Sequence, residues 1–337
     1  MESIKHILII RLTSMGDVAM TIPVIRTVIE QYPKVKISIL TKPIFLELFR
    51  EFKKANLIAF EPKGRHSGLI GIFRLKNELK ELNIDAVIDL HNVLRTNFLK
   101  FLWGRNFHQI DKGRRQKTSL INGTVFKQIK TTHQRYLDVF NKLNMSVSIA
   151  KPVFPKKTNL EKYNKKVIID SNKKLIGIAP FAKHEAKTYS FEKMKRVIEY
   201  VSEEHIILLF GGGEIEGKLL GEISENNKNV FSLVNGFTLS DQMDFMSNLN
   251  LMISMDSANG HLAAMYGVKV ITIWGVTHPY AGFLPFNQNT ENSIMPDRKK
   301  YPKIPTSIYG DKYPEGYKNA INSISTEEII QKIKEIL

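Results

Sequence analysis

The strongest constraint on the fold is a regular alternation between short apolar runs and longer amphipathic segments. His6–Ile10 (HILII) and Ala86–Leu90 (AVIDL) are runs typical of strands that are buried on both faces. The segments that follow such runs carry apolar residues at three- and four-residue spacing, which is typical of helices. Because strands that alternate with helices form parallel sheets with right-handed crossovers, the pattern predicts an α/β protein.

This alternation occurs twice, once in each half of the chain. Lys151–Lys174, which is rich in Lys, Asn and Pro, separates the two halves and predicts a connection. A length of 337 residues fits two domains, so we expect two doubly wound domains with a cleft between them. The predicted bounds are 1–155 for the N-terminal domain, 156–172 for the linker, 173–320 for the C-terminal domain and 321–337 for a last helix opened by a Ser325–Glu328 capping box.

Some local predictions are specific enough to be checked against a structure. Pro23 lies inside a helical pattern that runs from Asp17 to about Gln31, so it implies a kink or a late start. Further helices are predicted at Ile44–Lys54, Leu69–Leu82 and Arg95–Leu102, a strand at Val35–Leu40, and a basic loop at Lys112–Lys117.

The positive charge of the chain is concentrated in its first half. Residues 1–160 carry 28 basic and 12 acidic side chains, whereas residues 161–337 carry 21 of each, so the whole net charge of +16 lies before residue 161. We therefore expect the first half to face an anionic partner and the second half not to do so.

Composition also excludes several classes of protein. No apolar run reaches the length of a membrane span, and the start of the chain reads as a first strand instead of a signal peptide, which predicts a cytoplasmic protein. The absence of Cys excludes disulfides, cysteine-zinc sites and thiol nucleophiles. The absence of His-x-x-x-His and of Asp-x-Asp weighs against a zinc enzyme and against a transferase that holds a metal through that motif.

Ligands of open parallel sheets bind beyond the carboxyl ends of the strands, which directs attention to the loops there. The loop Arg11–Asp17 follows the first strand, and it has neither a dinucleotide-binding nor a P-loop pattern. On local sequence Asp17 is read first as a helix N-cap, and the second interpretation is a general base that points into the cleft.

Further candidate loops lie in the second half. Asp256–His261 combines a carboxylate, a hydroxyl and small residues before a helix, so it suits either a tight capped turn or a phosphate site. Lys183 and Lys187 follow the first strand of this half and could hold a diphosphate or be simply solvated. A triple glycine precedes Glu214 and Glu216, which fits a flexible turn or a ribose site. Trp274–Pro279 follows the last strong strand.

These segments together resemble glycosyltransferase family 9, the bacterial heptosyltransferases of the lipopolysaccharide inner core. The resemblance rests on ILIIRLTSMGDVAMTIPVIR (7–26), on Asp89-Leu90-His91, on IGIAPFAKHEAKTYS (176–190) and on DSANGHLAAMYGVKVITIWGVTHP (256–279). The matching segments occur in the family's order over about four-fifths of the chain, residues 6–280.

The resemblance implies a GT-B fold, with two Rossmann-like domains, and an inverting, metal-independent transfer from ADP-heptose to an anionic lipid A–Kdo acceptor. It implies no resident cofactor, a nucleotide-sugar donor, and an enzyme that works at the cytoplasmic membrane surface. Asp17 takes the role of general base, Lys187 contacts the donor phosphates and Asp256 the donor sugar. The remaining donor-side candidates are Lys183, Glu214, Glu216, Ser257, Ala258 and His261, and the acceptor-side candidates are Arg65, Arg95, Arg114 and Arg115.

The chain departs from the family pattern in three places. Ala258-Asn259-Gly260 replaces a commoner Gly-Pro-x, His278 replaces an Asp of many relatives, and Tyr301–Tyr317 has no Cys where some relatives have several. Another nucleotide sugar, another acceptor, an epimerase of the same architecture and an inactive transferase therefore stay open as alternatives. A nucleic-acid binder is not predicted despite the pI of 9.7, because no recognised nucleic-acid motif is present.

Overall fold

The first sheet of the computed structural model, which describes residues 4–337, has five parallel strands. Met1–Ser3, which entered the argument against a signal peptide, lie outside the described residues. The elements are β1 (His6–Ile10), α1 (Met15–Ala19), α2 (Ile22–Gln31), β2 (Lys36–Thr41), β3 (Asn56–Ala59), α3 (Gly68–Lys80), β4 (Ala86–Asp89), α4 (Leu94–Trp103), β5 (Phe107–Gln109), α5 (Arg114–Ile121) and α6 (Thr132–Asn141). The strand order is β3-β2-β1-β4-β5, so the apolar strand β1 is central and buried along its whole length.

The second sheet has six parallel strands and is covered by the remaining helices. Its elements are β6 (Leu175–Ala179), α7 (Phe191–Ser202), β7 (Ile206–Leu209), α8 (Gly213–Glu225), β8 (Val230–Ser232), α9 (Leu239–Met246), β9 (Leu251–Met255), α10 (Ala258–Ala264), β10 (Lys269–Ile273), β11 (Ser293–Ile294) and α11 (Thr326–Ile336). The strand order is β11-β10-β9-β6-β7-β8. The Ser325 hydroxyl accepts a hydrogen bond from the Glu328 backbone N–H at 3.1 Å, so the predicted N-cap of the last helix is confirmed.

Two compact units contain these sheets, and the chain passes between them more than once. The first unit ends at Lys112 and resumes at Thr132–Val153, while the second contains Gly113–Thr131 and everything from Phe154 onwards. We call Gly113–Thr131, which includes α5, the crossing segment. A division at residue 155 assigns this segment to the N-terminal domain, whereas in the structure it packs with the second unit.

Contacts in its last third hold the crossing segment in the second unit. The Ile129 backbone N–H donates to the carbonyl of Tyr280 at 3.1 Å. The Phe126 ring lies 5.0 Å from the ring of His278, and the Arg298 guanidinium carbon lies 3.4 Å from the Phe126 centroid. Stacked cations and aromatic rings attract each other, so Phe126 anchors the segment.

The crossing segment changes how the net charge is divided. It brings five basic and no acidic residues to the second unit. Counted by unit, the first carries 21 basic and 12 acidic residues, a net of +9, and the second carries 28 and 21, a net of +7. The expectation that the whole excess belongs to one domain is therefore wrong, because the halves of the sequence are not the units of the structure.

The structure corrects three of the local predictions. The predicted helix is interrupted just before Pro23, so two helices, α1 and α2, replace the single predicted one. A shorter 3-10 helix at Pro43–Phe49 takes the place of the helix predicted at Ile44–Lys54. The basic loop is largely the helix α5, in which Leu120 alone is buried, so the apolar spacing that predicts a helix is missing. No helix among residues 4–337 is long and apolar enough to cross a membrane.

Candidate functional site

Each sheet has one point at which the order of its strands reverses. In the first sheet, β1 lies between β2 and β4, and in the second, β6 lies between β7 and β9. Ligands of doubly wound sheets bind beyond the carboxyl ends of the strands at such points. The loop with Asp17 follows β1, the loop with Lys187 follows β6, and Asp256 follows β9, so all three predicted residues lie at reversal points.

Asp17 lies in the first turn of α1 and is held from two directions. Its Oδ2 accepts hydrogen bonds from the Ser14 hydroxyl at 2.9 Å and from the Ser14 backbone N–H at 3.3 Å. The same oxygen lies 2.8 Å from the Arg11 guanidinium. The N-cap of the helix is Ser14, and the bond from its backbone N–H to Asp17 is one half of a capping box, so the carboxylate caps the helix start as well as pairing with Arg11.

Arg11 is a buried cation that fixes this loop. One of its terminal nitrogens donates to the carbonyl of Leu90 at 2.6 Å, while another contacts Asp17. Its aliphatic stem and guanidinium are almost fully enclosed, with 8% of the residue exposed. A buried guanidinium needs a carboxylate partner, so Arg11 and Asp17 keep each other in place. The Tyr136 hydroxyl adds a hydrogen bond to the Asp17 carbonyl.

The loop after β4 lies beside the loop after β1. Ile10 and Asp89, the last residues of β1 and β4, are paired in the sheet, so the two strands end side by side. The buried Asp89 carboxylate accepts hydrogen bonds from the backbone N–H groups of His91 and Asn92, at 2.9 and 3.0 Å. His91 in turn contacts the Thr13 hydroxyl through Nε2 at 3.3 Å. Asp89 therefore shapes the loop that carries His91 towards the Asp17 loop.

His91 is a neutral imidazole in the folded protein. Burial, followed by the positive charges of Arg11 and Lys112, lowers the pKa of His91 to about 3. Its Nδ1 is buried and has no hydrogen-bond partner among the described residues. A buried polar atom without a partner costs folding free energy, so the unpaired Nδ1 lowers the stability of this loop.

The low pKa of His91 gives a prediction for stability against pH. The unfolded chain binds a proton at this histidine below about pH 6.5, whereas the folded chain does not until about pH 3, so acid destabilises the fold in that range. His91→Gln removes this contribution. The free energy of unfolding of each protein is measured by urea unfolding at pH 7.5 and at pH 5. On going from the higher to the lower pH, the difference between variant and wild type should change by about 2 kcal/mol in favour of the variant. An equal difference between the two proteins at both pH values would contradict the prediction.

In the second unit, the structure brings together Lys187 and Asp256, two residues singled out by sequence. The Lys187 ammonium lies 2.8 Å from the Asp256 Oδ2, and both side chains are largely buried. The Thr277 hydroxyl donates to the same oxygen at 2.8 Å. An ammonium with one hydrogen bond to Asp256 can still donate to further oxygens, such as those of a phosphate.

Two close approaches fix the position of Lys187. A Cβ at Gly275 would lie 2.0 Å from the carbonyl oxygen of Ala186, so the loop after β10 can pass the Lys187 turn only with glycine. A Cβ at Gly310 would lie 2.3 Å from the Lys187 stem. Gly310 belongs to Tyr301–Tyr317, the segment without the Cys of some relatives, so packing holds this segment against the lysine.

The remaining residues of the Asp256 loop form the start of α10. Ser257 is its N-cap and Ala258 its first residue, and the Ser257 hydroxyl lies 3.2 Å from that of Ser254. The Ser254 hydroxyl also accepts from the backbone N–H of Gly260 at 3.1 Å. His261 is buried one turn into the helix. The diphosphate contacts expected of this turn stay predictions.

The remaining donor-side candidates differ in whether their side chains form a hydrogen bond or are exposed to solvent. The Glu216 carboxylate accepts a hydrogen bond from the backbone N–H of Gly212 at 2.7 Å and so closes the turn. Glu214 is exposed in the first turn of α8, and Lys183 is exposed in the loop after β6. A ribose contact by either glutamate and a phosphate contact by Lys183 stay predictions.

The four arginines expected to contact the acceptor are divided between the two units. Arg65 forms an ion pair with Glu78 at 2.5 Å, and Arg95 is exposed in the first turn of α4. Arg114 and Arg115 open α5 in the crossing segment, which packs with the second unit. The first pair and the second pair therefore belong to different units.

Sequence reasoning missed Arg11, Thr13, His91 and Thr277 as parts of these sites. All four lie in segments that the motifs already covered. Arg11 and the two threonines gave no signal because such residues are common in loops, and His91 was noted only as part of the Asp89-Leu90-His91 match. Among residues 4–337, no group of three or more His, Asp or Glu side chains is placed to hold a metal ion.

Comparisons with known proteins agree on one family. The sequence model of glycosyltransferase family 9 (heptosyltransferase) matches residues 72–311. Lipooligosaccharide heptosyltransferase 2 of Campylobacter jejuni is 24% identical over 338 residues, and the alignment covers 96% of each chain. The lipopolysaccharide core heptosyltransferase OpsX of Haemophilus influenzae is 22% identical, over 99% of this chain and 98% of the relative.

Solved structures show the same fold. The family 9 glycosyltransferase of Veillonella parvula superposes with a TM-score of 0.77 at 18% identity, over 100% of this chain and 98% of the other. Escherichia coli heptosyltransferase WaaC with ADP superposes with a TM-score of 0.69 at 18% identity, over 98% of this chain and 100% of the other. The two parallel α/β units and these likenesses confirm the predicted GT-B fold.

Proposed function

Because the chain belongs to glycosyltransferase family 9 and is a glycosyltransferase, we propose that it transfers heptose from ADP-heptose to an inner-core acceptor of the lipid A–Kdo type. The observation that carries this proposal is the buried contact of Lys187 with Asp256 at the reversal point of the second sheet. Curated relatives that are named for heptosyl transfer to lipopolysaccharide or lipooligosaccharide support the choice of sugar and acceptor.

On the donor side, the proposed site binds the diphosphate without a metal. Lys187, with Lys183 nearby in the chain, donates to the phosphate oxygens, and the hydroxyl of Ser257 and the backbone of Ala258 add further donors. These groups stabilise the negative charge that develops on the departing ADP. Asp256 contacts the sugar and orients Lys187. Glu214 or Glu216 reaches the ribose, and His261 lies in the same loop block.

On the acceptor side, Asp17 acts as general base in an inverting displacement. Its carboxylate takes the proton of the acceptor hydroxyl while that oxygen bonds to the anomeric carbon, and the bond from this carbon to the ADP oxygen breaks. The ion pair with Arg11 and the hydrogen bonds from Ser14 hold the carboxylate in one orientation. Orientation of this kind is a large part of the effectiveness of a catalytic base.

The acceptor proposed here carries phosphates and Kdo carboxylates, which a basic protein surface attracts. Arg65, Arg95, Arg114 and Arg115 are the proposed contacts. Since such an acceptor is anchored in a membrane, the enzyme works as a cytoplasmic protein at the inner face of the cytoplasmic membrane.

One experiment tests the donor and the acceptor together. The protein is incubated with ADP-heptose, ADP-glucose or UDP-sugars, each with and without a lipid A–Kdo acceptor, and the products are read by mass spectrometry. We expect a mass increase of one heptose on the acceptor with ADP-heptose alone among the donors. Transfer from another donor would replace the proposed sugar, and conversion of a nucleotide sugar without acceptor would identify an epimerase.

A further inference from the structure

Large apolar side chains project into solvent from the first unit. Ile44 is 66% exposed, Leu69 67%, Ile70 79%, Phe73 51% and Leu94 86%. We call these five residues the apolar rim. Single exposed apolar residues are ordinary on protein surfaces, but several close together mark an interaction site.

The apolar rim follows the carboxyl edge of the first sheet. Ile44 is the second residue of the 3-10 helix after β2, Leu69 and Ile70 lie in the first turn of α3, and Leu94 is the first residue of α4. Helices that follow parallel strands begin at the carboxyl edge, so these residues lie at the edge that carries Asp17. Leu94 follows His91 by three residues.

The helices α3 and α4 are also neighbours on one face of the sheet. Ile72 and Leu75 of α3 and Leu99 of α4 are buried in the same core cluster, together with Leu8 and Val87 of the strands. Their outward faces therefore lie side by side, and the exposed residues at the two helix starts form parts of one surface.

Basic side chains alternate with the rim along the chain. Lys42 precedes Ile44, Lys63 precedes Leu69, and Arg95 follows Leu94, while Arg65 is paired with Glu78. Glu61 is the single acidic residue in the segments 42–44, 60–70 and 91–95. Lys42 also contributes, after Arg11 and Lys112, to the lowered pKa of His91, so its charge reaches the site. Apolar and basic residues combined in this way suit an anionic bilayer surface.

We propose that the apolar rim docks the enzyme on an anionic lipid bilayer, with the rim side chains inserted at the boundary of headgroups and acyl chains and the neighbouring Lys and Arg side chains at the lipid phosphates. The proposal rests on the proposed function for its membrane-anchored acceptor. Docking at this edge brings the headgroup of a lipid acceptor to the edge with Asp17. A second copy of the chain fits less well, because pairing two rims would bring their basic side chains together.

Vesicle flotation tests the surface without any substrate. Vesicles of phosphatidylethanolamine and phosphatidylglycerol are mixed with wild-type protein, with the double variant I70S/L94S, or with the control V153S/I168S. The control removes two apolar side chains that are 47% and 76% exposed, that lie in the predicted connection Lys151–Lys174 and that are not part of the rim. The rim variant should bind at least about tenfold more weakly than wild type, because burial of each lost side chain stabilises the bound state. The control should bind like wild type, and high salt should weaken all three.

Two readouts separate this proposal from the proposed function. Heptosyl transfer to a soluble, deacylated acceptor reports the chemistry alone, and the rim variant should keep it. Equal vesicle binding by the rim variant and wild type would overturn the docking surface, as would wild-type protein that fails to float. Loss of a lipid-free dimer in the rim variant, seen by light scattering, would assign the rim to contact between copies instead.

Discussion

Asp17→Asn is expected to lower turnover about 100-fold or more while it leaves the affinity for ADP unchanged. The amide keeps the size of the carboxylate and can still accept a hydrogen bond from Ser14, but it cannot take the proton of the acceptor hydroxyl. Steady-state transfer with saturating donor and acceptor measures turnover, and calorimetric titration with ADP measures donor affinity.

The same substitution also removes the partner of a buried cation, so stability needs its own control. Arg11 would keep its bond to the Leu90 carbonyl but lose its ion pair, and this should lower the melting temperature of the variant. Ser14→Ala is the matched control, because it removes a hydrogen bond to Asp17 and keeps the carboxylate. Its turnover should stay within about tenfold of wild type. Asp17→Asn with normal turnover would exclude Asp17 as the base.

Lys187→Ala is expected to weaken ADP binding by roughly 10- to 100-fold and to lower turnover as well, since hydrogen bonds from a charged group to phosphate are strong. The substitution also leaves the largely buried Asp256 carboxylate without its cation. Lys187→Arg should recover part of the affinity, because the charge remains although the geometry differs. Calorimetric titration with ADP, followed by transfer assays, measures both effects.

Lys318→Ala is the matched control for this second prediction. Lys318 forms an ion pair with Glu185, which lies on the same 3-10 turn as Lys187. Because both partners of that pair are well exposed, its loss should have little effect on the turn or on ADP binding. If the two lysine variants lost affinity equally, disturbance of the turn would explain the result, and the phosphate contact assigned to Lys187 would fail.

The fold could be predicted from the sequence where apolar spacing is strong. The buried strands β1 and β6 and the amphipathic helix α7 each carry a clear pattern, and the structure has an element at each place. The short strands β3 and β5 were missed, because edge strands of three or four residues carry too few apolar positions. The helix α5 was missed because it buries one residue and is held by the contacts around it.

The site could be predicted only as far as chemistry-bearing residues stand at strand ends. Asp17, Lys187 and Asp256 stand out in that way, and the structure places the last two in contact, which the sequence did not predict. The pKa of His91 is lowered by burial and by the charges of Arg11 and Lys112, which are distant in sequence, so no local pattern shows it. The same holds for Gly310, whose contact with Lys187 spans 123 residues of chain.

The course of the crossing segment has a consequence for chimeras. Exchanging the first 155 residues between two relatives, in order to transfer acceptor specificity, would also exchange Gly113–Thr131 and set a foreign segment against Tyr280 and Arg298. If the chain is divided after residue 155, neither of the two fragments corresponds to one whole unit of the structure. A graft that respects the architecture takes residues up to 112 and 132–153 from one parent and keeps the crossing segment of the other, which makes it a discontinuous exchange with three junctions.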